Sequence, residues 1–132
     1  MSEHTTMICE LDDQEALVQS LEEMGNKVEV HENNGATIQG YGGRSWGSAQ
    51  VIVRKKADLY ADIGFEKMPD GTYKMHIDSG DKRKLDQKKL TQLHAKNKIQ
   101  NIIKKNPGKY KLAKAETDKT GAIKLKLRVR TN

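Results

Sequence analysis

The clearest hydrophobic pattern lies at the carboxyl end of the chain, where apolar and charged residues alternate over residues 123–130. The two alternating sets are Ile123, Leu125, Leu127 and Val129, which are aliphatic, and Lys124, Lys126, Arg128 and Arg130, which are cationic. Because successive side chains of a β-strand point to opposite faces, the pattern predicts a strand with one aliphatic face and one basic face. The whole segment 109–130 predicts a hairpin that turns near residues 119–121, with this strand as its second arm.

Two segments carry apolar residues at helical spacing. The first follows Asp12, a candidate N-cap with Glu15 in the capping-box position, and ends at Gly25, a residue suited to a left-handed helix end. The second runs from about Leu85 to Lys105 and stops at the Asn-Pro-Gly sequence that follows. Its apolar side is predicted to contain Leu90, Leu93, Ala95, Ile99, Ile102 and Ile103.

Short β-branched or alternating runs predict further strands. They are residues 4–10, 28–30 and 51–53. The clearest hairpin spans residues 59–77 and turns at Asp70 and Gly71, and we expect Phe65 and Tyr73 to pair across it.

The order of these elements predicts an α+β fold. Strands precede, separate and follow two helices, which favours a two-layer sandwich of an antiparallel or mixed sheet with both helices on one face. A chain of 132 residues is enough for one modest core. We therefore expect a single α+β domain over residues 1–132.

Charge is unevenly distributed along this domain. Residues 1–32 contain nine acidic residues and one lysine, whereas residues 82–132 contain seventeen Lys or Arg and three Asp or Glu. An acidic amino-terminal part therefore precedes a basic helix and hairpin, which attract a polyanion such as nucleic acid or an acidic protein. A plainer explanation is that lysines on an edge strand prevent aggregation between sheets.

Several classes of protein are disfavoured. No apolar run approaches the roughly 20 residues of a membrane span, and the first residues lack the pattern of a signal peptide. A single cysteine, Cys9, excludes an internal disulfide. These features predict a cytoplasmic protein with no membrane partner.

The glycine-rich segment "IQGYGGRSWGSAQVIVRK", residues 38–55, contains four glycines and the only tryptophan. It lacks the Gly-Lys-Ser/Thr ending of a P-loop and runs into a strand, so a nucleotide site is disfavoured. The glycines predict positive φ angles in a bulged loop. We interpret residues 40–48 as an interaction loop in which Tyr41, Arg44 and Trp46 contact a base or a protein partner.

No residues form a recognisable catalytic or metal-binding motif. The four histidines, His4, His31, His76 and His94, are scattered without ligand spacing. Asp58, Asp62 and Glu66 recur at every fourth position, and solvated carboxylates are the default interpretation. We therefore expect no enzymatic activity, no cofactor and no metal.

The motifs "GYGG", "ADIGFEKMPDGTY" and "AIKLKLRV" resemble those of a family of small proteins named for hypothetical chloroplast reading frame thirty-five. Its members occur in cyanobacteria, some plastids and phages. The likeness covers most of the chain and departs from the family in a lysine-rich second helix and the insert "RSWGSAQ". The resemblance implies an accessory protein without enzymatic activity, loosely associated with ATPases of the AAA type.

Two functions follow as expectations. The first is a non-enzymatic accessory protein that binds nucleic acid through its basic carboxyl-terminal surface, including Lys124, Lys126, Arg128 and Arg130. The alternative is an adaptor or inhibitor that binds another protein, either an acidic partner or an AAA-type ATPase.

Overall fold

The computed structural model describes residues 4–106, 110–117 and 123–129. The helices and strands in these ranges are β1 (His4–Cys9), α1 (Gln14–Glu23), β2 (Glu29–Val30), β3 (Ala36–Gln39), β4 (Ser45–Ala49), β5 (Val51–Val53), β6 (Ile63–Lys67), β7 (Tyr73–Asp78), α2 (Gln87–Lys105), β8 (Tyr110–Thr117) and β9 (Ile123–Val129). Both predicted helices are present. Strand β4 lies where the sequence predicted a loop.

Five strands form a sheet in the order β1-β7-β6-β5-β2, and all its pairs are antiparallel. The predicted turn between β6 and β7 is confirmed, because Asp70 accepts hydrogen bonds from the amide and hydroxyl of Thr72. The predicted pairing across it is wrong. Phe65 lies opposite Met75, and Tyr73 lies opposite Lys67, since the turn is centred one residue later than that pairing requires.

Both helices pack on one face of this sheet, so the α+β architecture predicted from the sequence is confirmed. Leu17 and Leu21 of α1 and Leu90 of α2 share a buried cluster with Phe65 and Met75 of the central strands. Burial of such side chains stabilises the fold by roughly 1.5–3 kcal/mol each. In the part of the chain that the structure describes, no helix is both long enough and apolar enough to cross a bilayer.

Helix α1 begins one residue later than predicted. Asp13, not Asp12, is the N-cap, and its Oδ1 accepts a hydrogen bond from Ala16 N at 2.9 Å. Gly25 follows the helix with a φ of +90°, which confirms the predicted left-handed end. Helix α2 is capped in the same way by the side chain of Asp86.

The face of α2 that packs towards α1 is largely polar. Its buried residues are Leu90, His94, Asn97 and Asn101. Asn97 Nδ2 donates to Ser20 Oγ at 3.0 Å, and Asn101 Nδ2 donates to Gln19 Oε1 at 3.0 Å. These paired groups can be buried because each satisfies the other. The predicted apolar side is only partly buried, apart from Leu90.

The opposite face of the sheet is covered in part by the hairpin of β3 and β4. Ile38 and Ala49 of the hairpin form a second buried cluster with Ile52 of β5, and Trp46 packs against it. Gly64 of β6 lies directly beneath, since a Cβ at this position would lie 2.5 Å from Ile38 Cδ1. A glycine in the central sheet therefore allows the hairpin to approach closely.

We predict that Gly64→Ala lowers the free energy of unfolding by about 1–3 kcal/mol, because the added methyl group must displace the hairpin. Urea denaturation followed by Trp46 fluorescence measures this change. The control is Ser48→Ala on exposed strand β4, which should alter stability by less than about 0.5 kcal/mol. Unchanged stability in Gly64→Ala would contradict close packing of the hairpin on the sheet.

Candidate nucleic-acid interface

The glycine-rich segment makes a tight turn between β3 and β4. A short 3-10 turn, Tyr41–Gly43, contains Gly42 and Gly43 with φ angles of +73° and +80°. The prediction of positive φ at these glycines is therefore confirmed. Tyr41 on this turn is 54% exposed, and Arg44, which follows it, is exposed as well.

Trp46 does not project from a loop as predicted, because it belongs to strand β4 and is partly buried. Its ring stacks on the imidazole of His4 with centroids 4.5 Å apart and planes 11° from parallel. The interpretation of residues 40–48 as a single interaction loop is wrong for its second half. Trp46 packs the hairpin against the sheet. Of the three residues predicted to contact a partner, Tyr41 and Arg44 are exposed.

Tyr41 meets a second exposed aromatic residue, Tyr60, which is 45% exposed. The ring centroids are 6.1 Å apart and the planes are inclined by 72°, an edge-to-face arrangement. Lys84 Nζ lies 4.7 Å from the centroid of the Tyr60 ring, within cation–π range. We define the aromatic–basic patch as Tyr41, Arg44, Tyr60, Lys82, Arg83 and Lys84.

A buried carboxylate holds Tyr60 in place. Asp81 is fully buried, and its carboxylate accepts hydrogen bonds from Tyr60 N at 3.0 Å and Ala61 N at 3.2 Å. Lys84 Nζ lies 3.5 Å from the same carboxylate. A Cβ added at Gly80 would lie 2.7 Å from the Tyr60 ring, so this ring packs closely on the backbone. Tyr60 is therefore exposed but fixed.

Sequence reasoning missed Tyr60 and the cations at 82–84. The residues around them indicate only a polar break before the second helix. Three consecutive cations directly after Asp81 were the available signal. The contact of Tyr60 with Tyr41 depends on tertiary structure, and no spacing in the sequence indicates it.

Strands β8 and β9 form a ribbon whose register brings cations of both strands together. Opposite positions include Lys111 with Arg128, Lys114 with Lys126, and Glu116 with Lys124. The paired positions include five Lys or Arg residues, Lys111, Lys114, Lys124, Lys126 and Arg128, and one acidic residue, Glu116. The predicted contact residue Arg130 lies outside the described residues.

A register shift between Leu112 and Lys114 makes this arrangement possible. Lys111 and Lys114 are three residues apart, and in a regular strand they would occupy opposite faces. The extra residue of a β-bulge lets both pair with positions of β9 that are only two residues apart, Arg128 and Lys126.

Two lysines of α2 are paired with acidic residues of the amino-terminal region. Lys98 Nζ lies 2.8 Å from Asp12 Oδ2, and Lys105 Nζ lies 3.1 Å from Glu15 Oε2. Because these two lysines already form ion pairs, they are weaker candidates for contact with a polyanion. Three others are exposed and form no ion pair with a described residue: Lys88, Lys89 and Lys104.

A second cluster joins three strands through a chain of hydrogen bonds. His4 Nε2 lies 2.8 Å from His76 Nδ1, and His76 Nε2 lies 2.9 Å from Glu66 Oε1. With both rings neutral and the carboxylate ionised, His4 donates to His76 and His76 donates to Glu66. The chain connects β1, β7 and β6 beside the stacked Trp46.

Burial lowers the pKa of His4 below its ordinary value, and electrostatic interactions with His76 and Lys74 lower it further. Within the described ranges, no three His, Cys, Asp or Glu side chains are grouped closely enough to hold a metal ion.

Asp62 is only 2% exposed, so the interpretation of the carboxylates in this region as solvated is wrong for this residue. Its Oδ2 accepts from Arg54 Nη1 at 2.8 Å and from Gln39 N at 2.9 Å. Its Oδ1 accepts from Lys55 N at 2.7 Å. Arg54 also lies 3.0 Å from Glu29, which completes an ion-pair network between β2, β5 and the hairpin.

Comparisons of the chain with models of protein families, with curated proteins and with solved structures find no match. The likeness to the chloroplast reading-frame family stays a prediction from the sequence motifs. The function proposed below therefore rests on the geometry of this chain.

We predict that acid destabilises the folded protein in part through His4. The folded-state pKa of His4 lies below the ordinary value of 6.5. The contribution of His4 to the free energy of unfolding is therefore fully present above pH 6.5 and is lost as the pH falls through the folded-state pKa. His4→Gln should therefore lose less stability than the parent between about pH 7.5 and pH 5, as urea midpoints would measure.

His94, whose pKa burial also lowers, is present in both of these proteins, so the comparison isolates His4. Equal losses of stability in the two proteins would show that the histidine cluster does not contribute to the pH dependence.

Proposed function

We propose that this protein is a non-enzymatic accessory protein of the cytoplasm that binds nucleic acid through its basic carboxyl-terminal surface. The observation that supports this most directly is the register of β8 and β9. It pairs Lys111 with Arg128 and Lys114 with Lys126 across the two strands. Such an arrangement suits the closely spaced phosphates of a nucleic acid.

The cross-strand pairing of like charges favours a binding role over simple protection of a strand edge. Lys114 lies opposite Lys126, and Lys111 lies opposite Arg128. Like charges directly opposite one another destabilise a sheet, typically by roughly 0.2–1 kcal/mol for each pair. Protection of an edge needs only isolated lysines. A polyanion on the ribbon would offset this repulsion.

Further cations extend the basic surface beyond the ribbon. Lys82 and Arg83 are exposed and form no ion pair with a described residue. Lys88 and Lys89 at the start of α2 are exposed in the same way. Because phosphate contacts position a nucleic acid without specifying its sequence, we expect binding to be tolerant of sequence.

Fluorescence anisotropy with labelled oligonucleotides tests the proposal. The ribbon variant replaces four cations with serine: Lys124, Lys126, Arg128 and Arg130. We expect it to weaken binding similarly for all sequences and to reduce the slope of log affinity against log salt by about one for each phosphate that is no longer neutralised. A thermal melt of each protein verifies folding.

The control variant removes the same amount of charge elsewhere, by replacing Lys27, Lys55, Lys56 and Lys67 with serine. An equal loss of affinity in both variants would show that net charge alone acts and would contradict a ribbon interface. Absence of binding to any probe at about 50 mM salt would reject nucleic-acid binding. Protein partners that persist in a pull-down after nuclease treatment would then support the adaptor function.

A further inference from the structure

We infer that the nucleic acid is single-stranded and that its bases stack on Tyr41 and Tyr60 of the aromatic–basic patch while Lys82 and Arg83 contact its phosphates. This inference rests on the function proposed above and adds the class of ligand and a second contact site. The side chains concerned lie outside β8 and β9. Among them, the sequence predicted only Tyr41 and Arg44 as contact residues.

Among the side chains that the structure describes, exposed aromatic surface is concentrated at the patch. Three large hydrophobic residues are exposed in the described part of the chain: Val30, Tyr41 and Tyr60. Two of these three are in contact with each other. Exposed aromatic rings beside cations are the features with which proteins bind unpaired bases, since every base offers a π-face.

The orientation of the two rings favours a single strand over a duplex. Tyr41 and Tyr60 are inclined by 72°. Bases stacked in a duplex are covered by their neighbours and lie nearly parallel, so they cannot stack on both rings. A single strand can splay its bases and present each at a different angle.

The site is organised before a ligand arrives. Asp81 fixes the backbone of Tyr60, and the ring of Tyr60 packs on Gly80. Lys84 is held by the Tyr60 ring, by the buried Asp81 carboxylate and by a hydrogen bond to the carbonyl oxygen of Asp58. A fixed aromatic ring loses little conformational entropy on binding, which favours affinity.

The charge of the patch favours a nucleic acid over a protein surface as the ligand. Tyrosine and arginine are common in both kinds of interface, but lysine is depleted in protein–protein interfaces. Two of the three consecutive cations here are lysines, and Lys82 and Arg83 lack an acidic partner among the described residues. A phosphate backbone supplies the complementary charge.

The test compares the dissociation constants of a labelled single strand, as RNA and as DNA, with that of a duplex of the same sequence. We expect the wild-type protein to prefer the single strand. Tyr41→Ser and Tyr60→Ser should each weaken single-strand binding by about 5- to 100-fold, the range for removal of one base stack. Duplex binding, which depends on phosphate contacts, should change by less than about twofold.

Three controls accompany these variants. Tyr41→Phe and Tyr60→Phe keep the ring and should retain the preference for a single strand. Val30→Ser removes an exposed hydrophobic side chain of another site and should leave all affinities unchanged. A thermal melt identifies a folding defect, and Tyr41→Ser, which changes a side chain on an exposed turn, tests the inference even if Tyr60→Ser unfolds.

The outcomes separate the two proposals. Salt-sensitive binding that Tyr41→Ser and Tyr60→Ser leave unchanged, or weaken equally for single strand and duplex, would overturn the stacking site and leave the proposed function standing. Absence of binding by the wild-type protein would overturn both. Loss of a nuclease-resistant protein partner in the serine variants, with unchanged nucleic-acid affinity, would show that the patch binds protein. Selective weakening with RNA, with DNA or with both supports the inference.

Discussion

Two buried carboxylates hold irregular segments of the chain against the central strands, and the candidate interface depends on them. Asp62 accepts an amide hydrogen bond from the end of β3, next to Tyr41. Asp81 accepts those of Tyr60 and Ala61. A buried carboxylate is strongly destabilising unless hydrogen bonds and cations compensate it, so its partners have little freedom to move. The turn that carries Tyr41 and the loop that carries Tyr60 are thereby kept close enough for their rings to touch.

Elements with local determinants could be predicted from the sequence. The end of α1 at Gly25, the β-branched strand at 51–53 and the turn at Asp70 and Gly71 depend on residues only a few positions apart, and all three are confirmed. The aliphatic packing face predicted for α2 failed because Asn97 is satisfied by Ser20, which lies 77 positions away. Hydrogen bonds over such separations leave no periodic signal.

The residues of the candidate site likewise differ in whether local sequence could predict their positions. Tyr41 and Arg44 could be predicted because a glycine-rich turn exposes its other residues. Trp46 was misjudged because its apolar surroundings come from other strands and from the stacked ring of His4. Tyr60 could not be predicted as its neighbour, because the loop and the turn are brought together only by the folded sheet. The register of β8 and β9 also required the structure, since the bulge between Leu112 and Lys114 shifts the pairing of the two strands.

The ion pairs between the amino-terminal region and α2 neutralise part of the positive charge of this helix. The carboxylates of Asp12 and Glu15 form ion pairs with Lys98 and Lys105, as phosphate groups could. Exposed pairs of this kind contribute only about 0–1 kcal/mol each to stability, so their larger effect is on the surrounding electric field. These two carboxylates neutralise two lysines of a chain whose net charge is +6. For the proposed polyanion ligand, this local neutralisation would weaken the attraction at that part of α2, and the field of the remaining cations would orient the ligand before any contact forms.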